Sequence, residues 1–358
     1  MINENESALN VKAGCVTPLA PASTLSVSKR EHELSPASYV EGILKGDRSV
    51  LARAITLIES SRAIDRQIGE DVLERCLPAS GESIRVGVTG IPGAGKSCLI
   101  EALGKYLLCE RREKVAVLAI DPSSQFSGGS ILGDRTRMTF LASSDMAFIR
   151  PSSSRGAHGG VAQNTRDTIL LCEAAGYRNI LVETVGVGQS ETAVGGMVDF
   201  LMLVTLAGAG DELQGIKRGL MEMAEAVVVN KTDGDNVGPA ERACAEAARA
   251  LHFLPASSSG WTPRAICCSA LNGRGVADLW SYILEYASIT KARGWFERTR
   301  REQALCAMHE HVEIGLLQTF RSNPAVQQRL PDLEQKVLAG SMTTACAVRE
   351  LLALFASK

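Results

Sequence analysis

Between residues 81 and 290, short apolar runs alternate with longer segments in which apolar residues recur every three or four positions. Short apolar runs are typical of strands buried on both faces, and the longer period is typical of helices. The predicted strands are Ile84–Thr89, Val115–Ile120, Ala147–Arg150, Ile180–Glu183, Phe200–Leu206, Ala226–Val229 and Ala265–Cys268. The predicted helices between them are Lys96–Cys109, Val161–Ala175, Ile216–Met223, Ala240–Leu251 and Val276–Ser288. This alternation predicts an α/β fold with a mostly parallel central sheet.

The segments on either side of this region carry other patterns. Residues 1–34 are rich in Ser, Pro, Ala and Thr and are predicted to be a disordered leader. Residues 35–80 have helical apolar spacing, with Asp47 and Ser49 as capping or turn residues between two helices. After residue 290 only helices are predicted, at Trp295–Phe320, Leu333–Leu338 and Thr344–Phe355. The chain is therefore divided into a leader (1–34), an N-terminal helical segment (35–80), an α/β domain (81–290) and a C-terminal helical segment (291–358).

Composition narrows the class of protein. The 358 residues include 38 Lys and Arg against 40 Asp and Glu, and a net charge of −2 argues against a dedicated nucleic-acid binder. The longest apolar run, Phe200–Ala209, is too short to span a bilayer. The ten cysteines include no Cys-x-x-Cys pair, and the N-terminus has no apolar signal segment. We expect a cytoplasmic protein that binds neither membrane nor nucleic acid.

A glycine-rich octapeptide follows the first predicted strand and opens the next helix. It matches the P-loop pattern G-x-x-x-x-G-K-[ST] at every defined position. In such a loop, backbone N–H groups converge on phosphate oxygens at a helix N-terminus. Lys96 would reach the β- and γ-phosphates, and the Ser97 hydroxyl would ligate Mg²⁺. The predicted nucleotide-binding residues of this segment are Gly90, Gly93, Ala94, Gly95, Lys96, Ser97 and Cys98.

A second polar segment, Asn230-Lys231-Thr232-Asp233, follows the strand predicted at Ala226–Val229. A carboxylate at Asp233 can accept hydrogen bonds from N1–H and the N2 amino group of guanine, a donor pair that adenine lacks. The Lys231 stem can lie on the purine face. Ser269, Ala270 and Leu271 follow the next strand, where GTPases place a base-contacting loop. These residues predict a site for GTP and GDP.

Acidic side chains near the P-loop are candidates for the metal and the attacking water. Asp121 and Glu183 end predicted strands, and Asp134 lies in a Ser- and Gly-rich loop. Carboxylates at the carboxyl ends of strands beside a P-loop are placed to hold Mg²⁺ and its waters. Lys217 lies in another Gly-rich loop and could neutralise charge on the γ-phosphate. From its residues alone, however, that loop is more simply a flexible segment with a solvated lysine.

Several longer segments together resemble the MeaB/ArgK-type GTPases associated with methylmalonyl-CoA mutase. The resemblance covers roughly residues 37–356. Its most specific stretches are residues 183–191 (ETVGVGQSE) and 210–219 (GDELQGIKRG), alongside the P-loop, Asp121-Pro-Ser-Ser and Asn230-Lys-x-Asp.

The resemblance implies a P-loop GTPase that forms homodimers through its C-terminal helices. It also implies a chaperone of an adenosylcobalamin-dependent acyl-CoA mutase, which gates cofactor loading and protects or reactivates the mutase. Carried over by position, Lys96, Lys217, Asp121 and Glu183 become the catalytic residues, and Ser97, Asp121, Asp134 and Glu183 serve the metal. Lys217 lies at a position in the family's third switch loop, and the resemblance implies that it assists hydrolysis when the mutase is bound.

The chain departs from the family pattern at a few positions. Cys98 stands where Thr often follows the P-loop serine, and His158 where Leu is usual. A tryptophan that the family often shows is absent near Leu305–Met308.

Other readings compete with this one. A GTP-dependent metallochaperone shares the nucleotide chemistry but would carry a Cys- or His-rich metal motif. The candidates here are His309 with His311 and Cys267 with Cys268, and the two members of each pair point to different faces of their helix or strand. They are therefore interpreted as ordinary helix and core residues. A nucleic-acid module would rest on the basic run from Lys291 to Arg301, which is more typical of a solvated helix face or a partner contact. An older family label, basic amino-acid transport ATPase, would require ATP preference and a membrane partner.

Overall fold

Seven parallel strands form the central sheet of the computed structural model, which describes residues 34–60, 62–120, 138–152, 160–184, 190–208, 218–255 and 257–356. The strands are β1 (Ile84–Gly90), β2 (Val115–Ile120), β3 (Ala147–Ser152), β4 (Asn179–Thr184), β5 (Phe200–Leu206), β6 (Ala226–Asn230) and β7 (Arg264–Cys267). Their order is β3-β2-β4-β1-β5-β6-β7, and every neighbouring pair is parallel. The predicted sheet is confirmed, and each strand lies within one or two residues of its predicted bounds.

Thirteen α-helices lie in the described parts of the chain. They are α1 (Pro36–Leu44), α2 (Arg48–Ile58), α3 (Ala63–Cys76), α4 (Lys96–Cys109), α5 (Thr139–Ser143), α6 (Gly160–Ala174), α7 (Ser190–Gly195), α8 (Arg218–Met223), α9 (Val237–His252), α10 (Val276–Ala292), α11 (Trp295–Ser322), α12 (Pro324–Leu338) and α13 (Thr344–Ala356). The sequence missed the short α5 and α7, and it placed the start of α12 at Leu333 rather than Pro324.

Helix starts follow local capping chemistry. Asp47 caps α2, since one of its carboxylate oxygens accepts hydrogen bonds from the backbone N–H groups of Ser49 (2.8 Å) and Val50 (3.1 Å). Asn323 caps α12 in the same way, with Pro324 as the first helical residue. The turn predicted around Asp47 is thereby confirmed.

The central strands are buried on both faces. Leu99, Leu103 and Leu107 of α4 and Leu279 and Ile283 of α10 pack with strand side chains in one apolar core. On the N-terminal side, α2 and α3 pack against α6. Because both faces are covered, the candidate site lies at the ends of strands.

Four members of the basic run from Lys291 to Arg301 are exposed, as predicted for a solvated helix face or a partner contact: Lys291, Arg293, Arg298 and Arg301. The run also makes contacts within the chain. Arg300 is largely buried in an ion pair with Asp199, and Arg293 donates to the carbonyl oxygen of Ser259. The Lys291 ammonium lies 4.7 Å from the centre of the Phe296 ring. These contacts join the start of α11 to the α/β region.

Candidate functional site

The P-loop connects the centre of the sheet to α4. At Gly90 the φ angle is 142°, and a Cβ there would lie 1.9 Å from the carbonyl oxygen of Val204 on β5, so only glycine fits. Gly95 also has a positive φ, 84°, in the turn before α4. The Lys96 ammonium donates to the carbonyl oxygens of Gly90 (2.8 Å) and Ile91 (3.2 Å). The loop therefore holds its lysine over its own backbone at the N-terminus of α4.

Ser97 and Glu183 meet beside this loop. Because β1 and β4 are neighbours in parallel register, Glu183 lies opposite Val88, near the carboxyl ends of both strands. The Ser97 hydroxyl donates to Glu183 Oε1 at 2.7 Å, and both side chains are nearly buried. A hydroxyl and a carboxylate are the oxygen ligands that Mg²⁺ prefers, so this pair fits a magnesium site.

A buried contact that sequence reasoning missed lies next to this pair. The Thr184 hydroxyl donates to the Thr89 hydroxyl at 3.0 Å, and neither residue is exposed to solvent. Polar residues at the last positions of adjacent apolar strands are the signal that could have found it, since the ends of parallel strands meet at one edge.

Asn230 links the P-loop to the loop after β7. Its side-chain amide group donates to the carbonyl oxygens of Ala94 (2.9 Å) and Gly95 (3.3 Å). Its side-chain oxygen accepts from the backbone N–H of Ala270 at 3.2 Å. Asn230 is 1% exposed, so its polar atoms are satisfied inside the protein. The observed bonds make Asn230 a brace between two loops, and its predicted contact with nucleotide stays a prediction.

Asp233 and Ser269 form the other contact between these loops. The Ser269 hydroxyl donates to a carboxylate oxygen of Asp233 in a very short hydrogen bond. The backbone N–H of Thr232 donates to the carbonyl oxygen of Cys268 at 3.0 Å, which aligns the two segments. Lys231, between Asn230 and Thr232, has a positive φ of 59°, a conformation that non-glycine residues rarely adopt.

The remaining candidates are placed differently. Leu271 is 86% exposed, and Cys98 is exposed on the first turn of α4. Burial raises the pKa of the Cys268 thiol to about 12, so this cysteine stays protonated at neutral pH. Asp121, Asp134, His158 and Lys217 lie outside the described residues, as do the leader through residue 33 and the Ser- and Gly-rich loop.

A parallel sheet with a P-loop after its central strand defines a P-loop nucleotide-binding protein. The loops after β6 and β7 meet beside the P-loop, as they do in guanine-nucleotide proteins. Among the described residues, no three His, Cys, Asp or Glu side chains converge on a common metal position. No helix in the described ranges is long and apolar enough to cross a membrane.

Comparisons with known proteins identify the family. The family model described as "Methylmalonyl Co-A mutase-associated GTPase MeaB" matches residues 51–325. A probable GTPase of Mycobacterium tuberculosis is 48% identical over 307 residues, covering 86% of this chain and 91% of the relative. The GTPase ArgK of Escherichia coli is 44% identical over 292 residues, 82% of this chain and 88% of ArgK. A crystal structure of a LAO/AO transport system kinase superposes with a TM-score of 0.71 at 35% identity, covering 91% of this chain and 99% of that one.

The chain belongs to the MeaB family of methylmalonyl-CoA mutase-associated GTPases. It is a P-loop GTPase that binds GTP and GDP, as the sequence predicted.

Proposed function

We propose that this GTPase is a chaperone for an adenosylcobalamin-dependent acyl-CoA mutase, methylmalonyl-CoA mutase or a relative. It gates cofactor loading and protects or reactivates the mutase. The observation that carries this proposal is the family match, which spans the P-loop, the loops after β6 and β7 (the guanine-side loops) and α11 as one continuous region. The family's printed name links its members to the mutase.

The phosphate side of the site is assigned to the P-loop and α4. Backbone N–H groups of Gly93, Ala94 and Gly95 and the Lys96 ammonium would bind the phosphates. Ser97 and Glu183, joined at 2.7 Å, would hold Mg²⁺ with Asp121 and Asp134. Bound Mg²⁺ would offset the negative charge of the phosphate oxygens.

The guanine side is assigned to Asn230, Lys231, Asp233, Ser269, Ala270 and Leu271. Ser269 orients the Asp233 carboxylate through their hydrogen bond, and this leaves the carboxylate's other acceptor positions for the base. Asn230 fixes the distance between this side and the P-loop.

A second copy of the chain is the proposed partner of α11. Leu305, Met308, Val312 and Leu316 follow one another at three- or four-residue spacing, and each is at least half exposed. A stripe of this kind on a long helix is typical of a helix–helix interface. Cytoplasmic location, and the absence of membrane and nucleic-acid partners, remain part of the proposal.

The first test is turnover of GTP and of ATP, with and without a candidate mutase. GTP-selective hydrolysis that rises with the mutase supports the chaperone function. GTP-selective hydrolysis indifferent to every such mutase would keep the GTPase and reject the partner, which would favour a metallochaperone. Preference for ATP would contradict the assignment of Asp233.

The role of Lys217 has its own test. Lys217→Ala should abolish the stimulation by the mutase while GDP binding stays unchanged, because the proposed role is to offset charge that develops during hydrolysis. Lys45→Ala is the control, since Lys45 is an exposed lysine paired with Glu41 on α1. Full stimulation in the Lys217 variant would remove this residue from the mechanism.

Recognition of the guanine base by Asp233 is tested with the substitution Asp233→Asn. An asparagine offers one acceptor and one donor group in place of two acceptor oxygens, so GTP should bind more weakly. Xanthosine triphosphate has a carbonyl in place of the N2 amino group, and it should bind the variant more tightly than it binds the unmodified chain. Unchanged selectivity would show that Asp233 does not contact the base.

A further inference from the structure

Cys244 and Cys267 face each other where α9 packs against β7. Cys244 lies on the helix near Val229, Ala240 and Ala243, which form the apolar contact between α9 and the sheet. The Cys267 sulfur lies 3.8 Å from the carbonyl oxygen of Ala240, one helical turn before Cys244. Cys267 on β7 therefore lies against the turn of α9 that leads to Cys244.

The thiol of Cys267 also acts on the thiol of Cys244. Burial raises the pKa of Cys244, and a side-chain hydrogen bond with Cys267 raises it further. Cys244 therefore stays protonated at neutral pH, and Cys267 is assigned as the attacking thiol. Both residues are only half-buried, which leaves access for a small oxidant.

A bond between Cys244 and Cys267 would affect the guanine-side loops because of where the two residues lie. Cys267 ends β7 two residues before Ser269, and α9 starts at Val237, four residues after Asp233. A link between α9 and β7 would join the two segments that carry the guanine-side loops.

We propose that Cys244 and Cys267 are a reversible oxidation site, at which hydrogen peroxide converts the two thiols to a disulfide that ties α9 to β7. Cys267 already contacts the turn of α9 that precedes Cys244, so the two sulfurs are on the same side of the α9–β7 contact.

The chemistry takes two steps. The Cys267 thiolate attacks one peroxide oxygen, so that an S–O bond forms, the O–O bond breaks and the second oxygen leaves with a proton as water. The Cys244 sulfur then attacks the Cys267 sulfur, so that the S–S bond forms and the S–O bond breaks with loss of a second water. The two sulfurs are oxidised and the peroxide oxygens are reduced. Thiols reverse the reaction by exchange.

A linked α9 and β7 would move less with respect to each other, and GDP release should slow. This consequence rests on the proposed guanine contacts of Asp233 and Ser269. The formation of the disulfide does not rest on them.

The first experiment treats the full chain with hydrogen peroxide, blocks the remaining thiols, and maps the peptides by mass spectrometry. We expect one linked peptide that joins Cys244 to Cys267, lighter by two hydrogen atoms and restored by dithiothreitol. Cys244→Ser or Cys267→Ser should remove the link, whereas Cys109→Ser, at an exposed cysteine on α4, should keep it. Unlinked Cys244 and Cys267 at a dose that oxidises Cys109 would overturn the proposal.

The second experiment measures release of a fluorescent GDP analogue from oxidised and reduced protein. Release should slow on oxidation of the unmodified chain but not of Cys244→Ser. Equal rates in linked and reduced protein would reject control of release, even with the disulfide formed. Failure of the unmodified chain to bind the GDP analogue would contradict the proposed nucleotide site. The peptide map would still decide whether the disulfide forms, because it does not depend on nucleotide binding.

Discussion

Arg300, at the start of α11, holds Asp199, the residue before β5, through two ion-pair contacts. The Nε–Oδ1 distance is 2.6 Å and the Nη2–Oδ2 distance is 2.7 Å. The arginine side chain is 15% exposed and the aspartate side chain 2%. Asp199 also accepts a hydrogen bond from the backbone N–H of Arg85 on β1, at 2.8 Å. The first C-terminal helix is thereby fastened to the two central strands, at the ends opposite the P-loop.

Removal of one partner of this pair should be costly. Arg300→Met would leave the Asp199 carboxylate buried without its cation, and we expect a loss of about 3 kcal/mol in the free energy of unfolding. Denaturant titration measures the change. Arg301→Met, at the exposed neighbouring position, is the matched control and should change stability by less than about 0.5 kcal/mol.

The double variant Asp199→Asn/Arg300→Met separates the charge from the packing. It should be more stable than Arg300→Met alone, because no uncompensated charge remains. Equal stability of the two variants would show that the loss comes from side-chain packing.

The brace formed by Asn230 predicts a joint loss of stability and nucleotide affinity. Asn230→Ala leaves the N–H of Ala270 and the carbonyl oxygen of Ala94 without this partner, and should cost about 1–3 kcal/mol. Nucleotide affinity should fall, because the P-loop and the guanine-side loop lose their common support. Unfolding and GDP titration measure the two effects.

Asn236→Ala is the control for this brace. Asn236 donates to the carbonyl oxygen of Lys231 in an exposed hydrogen bond in the same loop. It should lower GDP affinity less than Asn230→Ala does. Equal effects of the two substitutions would argue against the brace.

The close approach at Gly90 predicts intolerance of the smallest side chain. In Gly90→Ala the new methyl group would lie 1.9 Å from the Val204 carbonyl oxygen, at a φ that alanine rarely adopts. β1 and β5 would have to separate, so we expect a thermal midpoint far below that of the unmodified chain or failure to fold. Gly238→Ala on α9 has only an arginine nitrogen at 3.8 Å and should leave the midpoint nearly unchanged.

Glu225 makes stability depend on pH. Burial raises the pKa of its carboxyl group to about 8, against a hydrogen bond of 2.6 Å from the backbone N–H of Leu201 that favours the charged form. The folded state therefore binds a proton that the unfolded state releases near pH 4.5. The contribution of Glu225 to stability should be greatest below pH 4.5 and fall as pH rises toward about 8.

Comparison with Glu225→Gln isolates this contribution. Its amide oxygen can still accept from Leu201, but it has no proton to release. The stability difference between the two chains should therefore change steadily between pH 5 and 8 in unfolding experiments. A constant difference over that range would contradict the raised pKa.

The sheet and the nucleotide loops could be predicted because their signals are local. Each strand is a continuous apolar run, and the P-loop and Asn230-Lys-x-Asp are short motifs at strand ends. Two short helices, α5 and α7, were missed because five or six residues do not show a helical period. Pro331 inside α12 breaks the apolar pattern, so only the part of that helix from Leu333 was predicted.

Contacts between distant segments could not be predicted from one sequence. Arg300 and Asp199 are 101 residues apart, and nothing near Arg300 distinguishes it from its solvated neighbours. The contact of Asn230 with the P-loop likewise depends on β1, β5 and β6 being consecutive in the sheet. The first pair follows from the packing of α11 and the second from the order of the strands, and local patterns determine neither.

The contacts between α11 and the sheet determine where the chain can be truncated without loss of stability. A chain cut before Arg300 would retain every residue proposed to contact nucleotide, and yet it would keep Asp199 as a buried anion with no countercharge. Such a fragment should be less soluble and less stable than its intact motifs suggest. A fragment that extends through Gln303 would also keep the hydrogen bond from that side chain to the Val198 carbonyl oxygen, 2.8 Å long. We therefore expect the smallest stable nucleotide-binding fragment to include α11 through Gln303.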